Sequence, residues 1–436
     1  MRKKHHSLIN PKIPETARDW LYIWLGISPL FVMAIRGWMN GALFLAFGLS
    51  VYILVKDRNK IEYTVTDKQT RKWLFWLMLS FATPILAVFL GQLFRQDFSW
   101  PNYDSPARLL LCIPILLAIV KYQINLAKLL RYVIPCAVLI TAIVAIAKPS
   151  IFWIEQGKLT TYFVNPITFG YLCIALGMLS FISIDFNRNS SRLLTCIQLA
   201  GFATGTYLSI LSLSRSGWLA VPIVLVLWLI FGEFKHKITI AIFTFVALCA
   251  FSIAIYHYSP KVQDRVDLAV NETIDYQWDE TNPNTSVGAR ISLARIAVFL
   301  FEQRPLSGWG DKGFSQQLNS PKLGFAVLST KEIALNNGFH NIISASAVKS
   351  GIWGLISIIA IFLTPALLYA KGLQSKSTPV RKLALLSMSF VICEFISGMT
   401  MEIFDLKYTA AFYALMTTVF CGSLLVAMQP TTSKPL

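Results

Sequence analysis

The chain is built from apolar runs that recur one after another, each close to the length that crosses a lipid bilayer. A spanning helix needs about 20 mainly apolar residues, within a range of about 17–25. Runs of this kind fall at 19–35, 37–55, 73–93, 107–121, 131–147, 166–184, 193–212, 217–232, 238–256, 341–370, 383–400 and 408–427. In hydrocarbon every backbone N–H and C=O must be satisfied internally, which leaves helices or closed barrels, and these runs are helix-sized. The pattern predicts an all-α, polytopic integral membrane protein with about twelve transmembrane helices, forming a single membrane domain over residues 1–436. The run at 341–370 is long, and a break is expected near Lys349-Ser350-Gly351, because a lysine within an apolar span is costly.

Only 14% of the 436 residues are charged, against about 25% in soluble domains. The net charge of +17 would suit a nucleic-acid binder, but its placement argues against one. The basic residues gather in short clusters between apolar runs, which is the positive-inside pattern of a membrane protein. The seven cysteines stand singly within apolar runs with no CxxC spacing. They read as small buried hydrophobes, not as metal ligands or a disulfide framework. No Walker A, HExxH or GxSxG motif is present, so neither a metal nor a cofactor is expected.

Orientation follows from the same clusters. One side collects Arg2, Lys3, Lys4, Lys12 and Arg18, the segment Lys56 to Lys72, Lys121 to Arg131, Arg188, Arg192, Lys235, Lys237 and Lys371 to Lys382. The short loops on the other side hold few basic residues. Both termini are therefore expected in the cytoplasm, with the N-terminus a tail before a retained helix and not a cleaved signal peptide. The stretch from Tyr256 to Phe339, with 257–339 as its loop proper, is the one long polar interruption, and it is expected to face outward, which means the periplasm if the cell is Gram-negative. Loops of that length in a compact protein are usually functional or disordered. This one carries its own helical pattern at Val287 to Phe301, with a stripe of Val287, Ile291, Ala294 and Val298. Pro305 ends it, and a Pro305-Leu-Ser-Gly-Trp-Gly310 turn follows. Two shorter outer loops are rich in aromatics, including Trp100, Trp153 and Tyr162. These read either as the interfacial aromatic belt or as a platform for sugar or lipid.

Four residues stand out around the loop. Arg215 lies in Leu211-Ser-Leu-Ser-Arg-Ser-Gly217 between two apolar runs, so it must snorkel, pair or face a cavity. Small neighbours such as Ser214 leave room around a guanidinium, the preferred cation for bidentate phosphate contacts. Arg290 and Arg295 lie on the loop helix, either as a solvated face or as partners of Arg215 in an anion site. His340 opens the next apolar run, either as a cap or as a proton-transfer group with Asn341 beside it as an orienting amide.

These elements carry a resemblance: the Ser-Arg-Ser-Gly217 element, Arg290 ahead of Pro305-Leu-Ser-Gly-Trp-Gly310, and His340-Asn341 before Gly351-Ile-Trp-Gly354. The chain resembles the O-antigen ligase/polymerase superfamily, and most of all the lipopolysaccharide O-antigen ligases. The resemblance implies a glycosyltransferase of the bacterial inner membrane, acting on the periplasmic side among membrane lipids. Its donor would be an undecaprenyl-diphosphate-linked glycan and its acceptor lipid A–core oligosaccharide, with inversion at the anomeric carbon. It assigns Arg215 and Arg290 to the donor diphosphate and His340 to the acceptor hydroxyl as the catalytic set. Arg295, Asn341, Trp309 and Ser214 are the expected substrate contacts around them. The chain departs from the family pattern at Ala294, where an aromatic is common, and at Lys349, where an acidic residue is common. O-antigen polymerase and protein O-oligosaccharyltransferase share these motifs. A transporter for lipid-linked sugar is the alternative of another class, and it would put more charge within the membrane than this chain does.

Overall fold

The computed structural model describes residues 16–58, 67–185, 191–233, 237–258, 260–278, 280–282 and 285–429. Of the sequence expectations, Arg2, Lys3, Lys4, Lys12, Arg188 and Lys235 lie outside these residues. The described part is all-helical apart from turns and one isolated bridge between Asn282 and Ala326. The first half runs through Ala17–Ile27 (α1), Trp38–Lys56 (α2), Lys68–Arg95 (α3), Asp104–Lys121 (α4), Ala127–Ala147 (α5) and the short Ile151–Gln156 (α6). Pro166–Ile182 (α7), Arg192–Leu211 (α8), Ala220–Phe231 (α9) and Lys237–Tyr258 (α10) complete the helices before the long loop. That loop contains Pro260–Ile274 (α11), Ser286–Gln303 (α12) and Leu328–Asn336 (α13). Ile342–Leu373 (α14), Thr378–Gly398 (α15) and Lys407–Met428 (α16) follow.

The protein is a multi-span membrane protein, but the count of twelve spans is corrected. Among the described residues seven helices are long and apolar enough to cross a bilayer: α2, α3, α4 with the turn before it, α5, α8, α14 and α16. Several of the other expected spans shrink for visible reasons. The run at 19–35 yields an 11-residue helix and then a 3-10 turn at Ser28–Phe31, where Pro29 removes a backbone donor. The runs at 166–184 and 217–232 give apolar helices of only 17 and 12 residues. The 383–400 run sits in α15, which also carries Arg381, Lys382 and Glu394.

Helices with hydrocarbon as their solvent show apolar side chains on the outside, and large ones are exposed here, including Phe44, Phe75 and Phe94. Inside, small residues let backbones approach, as is usual between membrane helices. A Cβ on Gly205 of α8 would lie 2.5 Å from the Cys173 carbonyl of α7. Four of the seven cysteines are buried as expected, whereas Cys136 is half-buried and Cys196 and Cys249 are exposed on helices.

At one end of the bundle the connections tie to the loop and to one another. Arg95 at the end of α3 reaches the Ser307 carbonyl and, at 3.1 Å, that of Lys349. Asp104 at the start of α4 pairs with Lys407 at the start of α16. The opposite end carries the Arg381–Glu233 and Lys382–Asp185 pairs.

The loop has its own apolar cluster. Leu293, Ile296, Ala297 and Leu300 of α12 pack with Trp309, Phe314 and Phe339 and with Ala345 and Val348 of α14. The expected stripe on α12 is therefore wrong: Ala294 and Val298 are exposed, and the larger Leu/Ile face is the one buried. The expected break in α14 is present. Gly351 adopts φ 61° and ψ −143°, which interrupts the helix. The Pro305–Gly310 turn plugs that break: Trp309 N–H donates to the Val348 carbonyl at 2.7 Å, Gly310 N–H to Lys349 at 3.0 Å, and Ile352 N–H to Pro305 at 2.7 Å. Carbonyls freed by a broken helix need such partners.

Candidate active site

Arg215 stands on a compact serine turn between α8 and α9. Ser212 Oγ donates to the Ser209 carbonyl at 2.7 Å, Ser214 N–H donates to Ser212 Oγ at 3.2 Å, and the Ser214 and Ser216 hydroxyls lie 2.7 Å apart. The three serines are buried, whereas Leu213 and Arg215 are exposed. Their bonds fix a turn with Leu213 at φ 55°, and Arg215 projects from it. Small size is essential, since a Cβ at Gly217 would lie 2.4 Å from Ile174 Cγ2.

Arg290 lies one turn into α12. The start of that helix is fixed by Thr285 Oγ1, which accepts from Gly288 N–H at 3.1 Å, and by a Glu272 carboxylate oxygen, which accepts from Val287 N–H at 2.8 Å. The surrounding protein and the positive charge of Arg215 both depress the Arg290 guanidinium below its ordinary pKa, with Glu272 opposing them. Although 75 positions separate them in sequence, the two guanidinium groups sit in one electrostatic neighbourhood.

His340 joins it. Burial and then the charge of Arg290 lower the imidazole below its usual value, so it is neutral at pH 7 and able to take a proton. Its backbone is unusual, with φ 49°, a region that non-glycine residues seldom enter. Contacts on both sides hold it there. Phe339 N–H donates to Glu402 Oε1 at 2.6 Å, and Asn341 Nδ2 donates to the Met399 carbonyl at 3.2 Å. Gly338 has φ 78°, and a Cβ there would lie 1.9 Å from Glu402 Oε1. Glu402 is in turn paired with Lys349 Nζ at 3.1 Å, and Lys349 also meets Asp405 at 3.2 Å. The α15–α16 connection thus supports the histidine from behind.

The other expected contacts go elsewhere. Residues five apart on an α-helix point about 140° away from each other, and Arg295 accordingly turns from Arg290. Its guanidinium lies 3.7 Å from the Phe325 ring centroid and 5.2 Å from that of Trp278, and it donates to the Tyr276 hydroxyl at 3.2 Å. Trp309 is buried, with Nε1 donating to the Leu300 carbonyl at 2.8 Å and Arg304 stacked over its ring. Asn341 caps α14 through Oδ1, which accepts from Ile343 and Ser344 N–H at 2.9 and 3.1 Å. Ser214 is tied up in its turn. For these four, the contacts are structural.

Three residues escaped the sequence reading: Arg95, Lys349 as an ion-pair partner, and Glu402. Only the cost of a lysine inside an apolar run hinted at any of them. Among the described residues no three His, Cys, Asp or Glu side chains come together as metal ligands would.

Residues 200–359 match the family model described as O-antigen ligase. The match takes in Arg215, Arg290, the plug turn, His340 and the break in α14. A protein of Haemophilus influenzae, described only as uncharacterized, is 26% identical over 355 residues, covering 80% of this chain and 83% of its own length. The segment 200–359 of this chain is thus similar to the O-antigen ligase family. The matched segment holds all three catalytic candidates, whereas Arg95 and Glu402 fall outside it.

Proposed function

We propose that the protein is an O-antigen ligase: an inverting, metal-independent glycosyltransferase of the bacterial inner membrane. It moves glycan from undecaprenyl diphosphate to lipid A–core oligosaccharide. The observation that carries this reading is that Arg290 interacts electrostatically with both Arg215 and His340, whose imidazole is held below its usual pKa. Two guanidinium groups that repel each other are stabilised by an anion between them, and a diphosphate has the charge and the oxygen geometry for two planar forks.

In the reaction an acceptor hydroxyl attacks the anomeric carbon of the donor glycan as that carbon's bond to the diphosphate oxygen breaks. The hydroxyl proton passes to the His340 imidazole, and undecaprenyl diphosphate leaves. Negative charge grows on the leaving oxygen, and fixed arginines stabilise it most where it develops. Attack from the face opposite the leaving group inverts the configuration. The active site then lies on the periplasmic side with both termini in the cytoplasm, consistent with the basic residues around Arg381 and Lys382 at the far end of the bundle.

A strain deleted for the gene tests the reading through its lipopolysaccharide. Intact core without any O-antigen, together with accumulated lipid-linked polymer, is the expected profile. Core bearing a single repeat would instead identify a polymerase.

A further inference from the structure

One cavity belongs to none of the three catalytic candidates. About 410 Å³ in volume, it lies between α3, α4, α14 and the α15–α16 connection, within the about 300–1,000 Å³ range of small-ligand sites. Its walls are apolar, with Val88, Leu109, Ile358 and Ile361 among them, whereas its rim is polar. Arg215, Arg290 and His340 do not line it.

The rim has a definite charge logic. It holds three cations and four carboxylates, and each cation has its own partners. Lys349 is met by Glu402, Asp405 and, at 4.0 Å, Asp311. Lys407 pairs with Asp104. Arg95 pairs with Asp97 at 2.9 Å and donates to two main-chain carbonyls. A phosphate here would meet cations already neutralised and a surplus carboxylate. The Asp311 and Asp405 side chains, 58% and 60% exposed, keep acceptor lone pairs available, and Asn102 adds an amide to the rim. Exposed carboxylate oxygens and an amide above an apolar wall suit hydroxyl groups carried on an apolar body.

We propose that this cavity binds an amphiphile with an uncharged saccharide head and an apolar tail, at a site separate from the Arg215–Arg290 pair. The head's hydroxyls donate to Asp311 and Asp405, and the tail lies along α3, α4 and α14. Glu402 lines the cavity and holds the Phe339 amide, so the occupant touches the support of His340. The proposal goes beyond the transfer reaction and does not depend on it.

The test uses the full chain in phosphatidylcholine nanodiscs, with exposed Cys196 and Cys249 replaced by serine and Ser346→Cys as a reporter on the cavity wall. Asn102→Cys serves as the reporter if the first variant does not fold. The rate of maleimide labelling is followed with octyl glucoside, octyl phosphate or octylammonium, each below its micellar concentration. Saturable protection of several-fold by the glucoside alone, lost in Asp311→Ala/Asp405→Ala, is the expected result. Equal or better protection by octyl phosphate or octylammonium overturns it, as does the absence of protection by any probe or its persistence in the double variant. Labelling needs no glycan transfer, so protection in a protein that transfers nothing would sink the ligase reading and leave this site standing.

Discussion

At the residue scale the account rests on His340 being neutral and held in a strained backbone. Burial and Arg290 disfavour its cation, so the base form dominates at neutrality and is lost as pH falls through a value below 6.5. A bound diphosphate offsets the charge of Arg290 and moves that value back up. The acidic limb of kcat, which reports the bound complex, should therefore lie at higher pH than the limb of kcat/KM for the donor, which reports the free enzyme. Coincident limbs, or a limb that survives in His340→Gln, would remove the histidine from proton transfer. Glu402 gives a second prediction. Glu402→Gln keeps an acceptor for Phe339 N–H but loses the charge facing Lys349, whereas Glu402→Ala loses both. The alanine variant should lose about 10²-fold or more in kcat, the scale on which small misplacements act, with donor KM little changed and the glutamine variant in between. Equal activity of all three forms would show that the support does not matter. Arg215 and His340 drew notice in the sequence because polar residues beside apolar runs demand a reason, whereas Arg290 stood on the loop helix with Arg295 and was singled out only through the resemblance. Glu402 was not legible, because 62 positions separate it from the residue it supports and only folding brings them together.

At the element scale the central device is the break in α14 and the turn that plugs it. The break was legible from Lys349-Ser350-Gly351, since a buried lysine and a glycine in one run mark an interruption. The partner was not, because a Pro-Leu-Ser-Gly-Trp-Gly turn says only that the chain bends. The buried face of α12 was misread for a related reason. Both its stripes satisfy helical periodicity, and the choice between them is made by α14, whose Ala345 and Val348 receive Leu293, Ile296 and Leu300. Gly351→Ala tests the device. Its Cβ would lie 2.4 Å from the Pro305 carbonyl oxygen, and left-handed backbone costs a side-chain-bearing residue about 1–2 kcal/mol before any clash. The variant should melt at a lower temperature and expose the plug to proteolysis between Arg304 and Lys312. Unchanged melting would mean that the break bears no load.

At the scale of the whole molecule, the bundle presents its three catalytic candidates at one end. The membrane class was legible from the apolar runs, but the number of spans was not. Hydropathy registers length in sequence, whereas α9 begins only after the serine turn that carries Arg215 and α7 spans just the 17 residues between Asn165 and Ser183. Sidedness gives a direct prediction: Lys312→Cys in the cysteine-replaced background should react with an impermeant maleimide from the periplasm, and reaction only after the inner membrane is opened would reverse the orientation. The measurement that bears most directly on the central claim separates donor binding from transfer, using purified protein, undecaprenyl-diphosphate-linked glycan and lipid A–core. Arg215→Lys and Arg290→Lys keep the charge but lose the planar fork. They should weaken donor binding and reduce transfer by about 10²–10³-fold. His340→Gln should bind donor as the wild type does and lose about 10²–10⁴-fold in transfer. Donor affinity untouched by both arginine changes, or abolished by the histidine change to the same degree, would contradict the account.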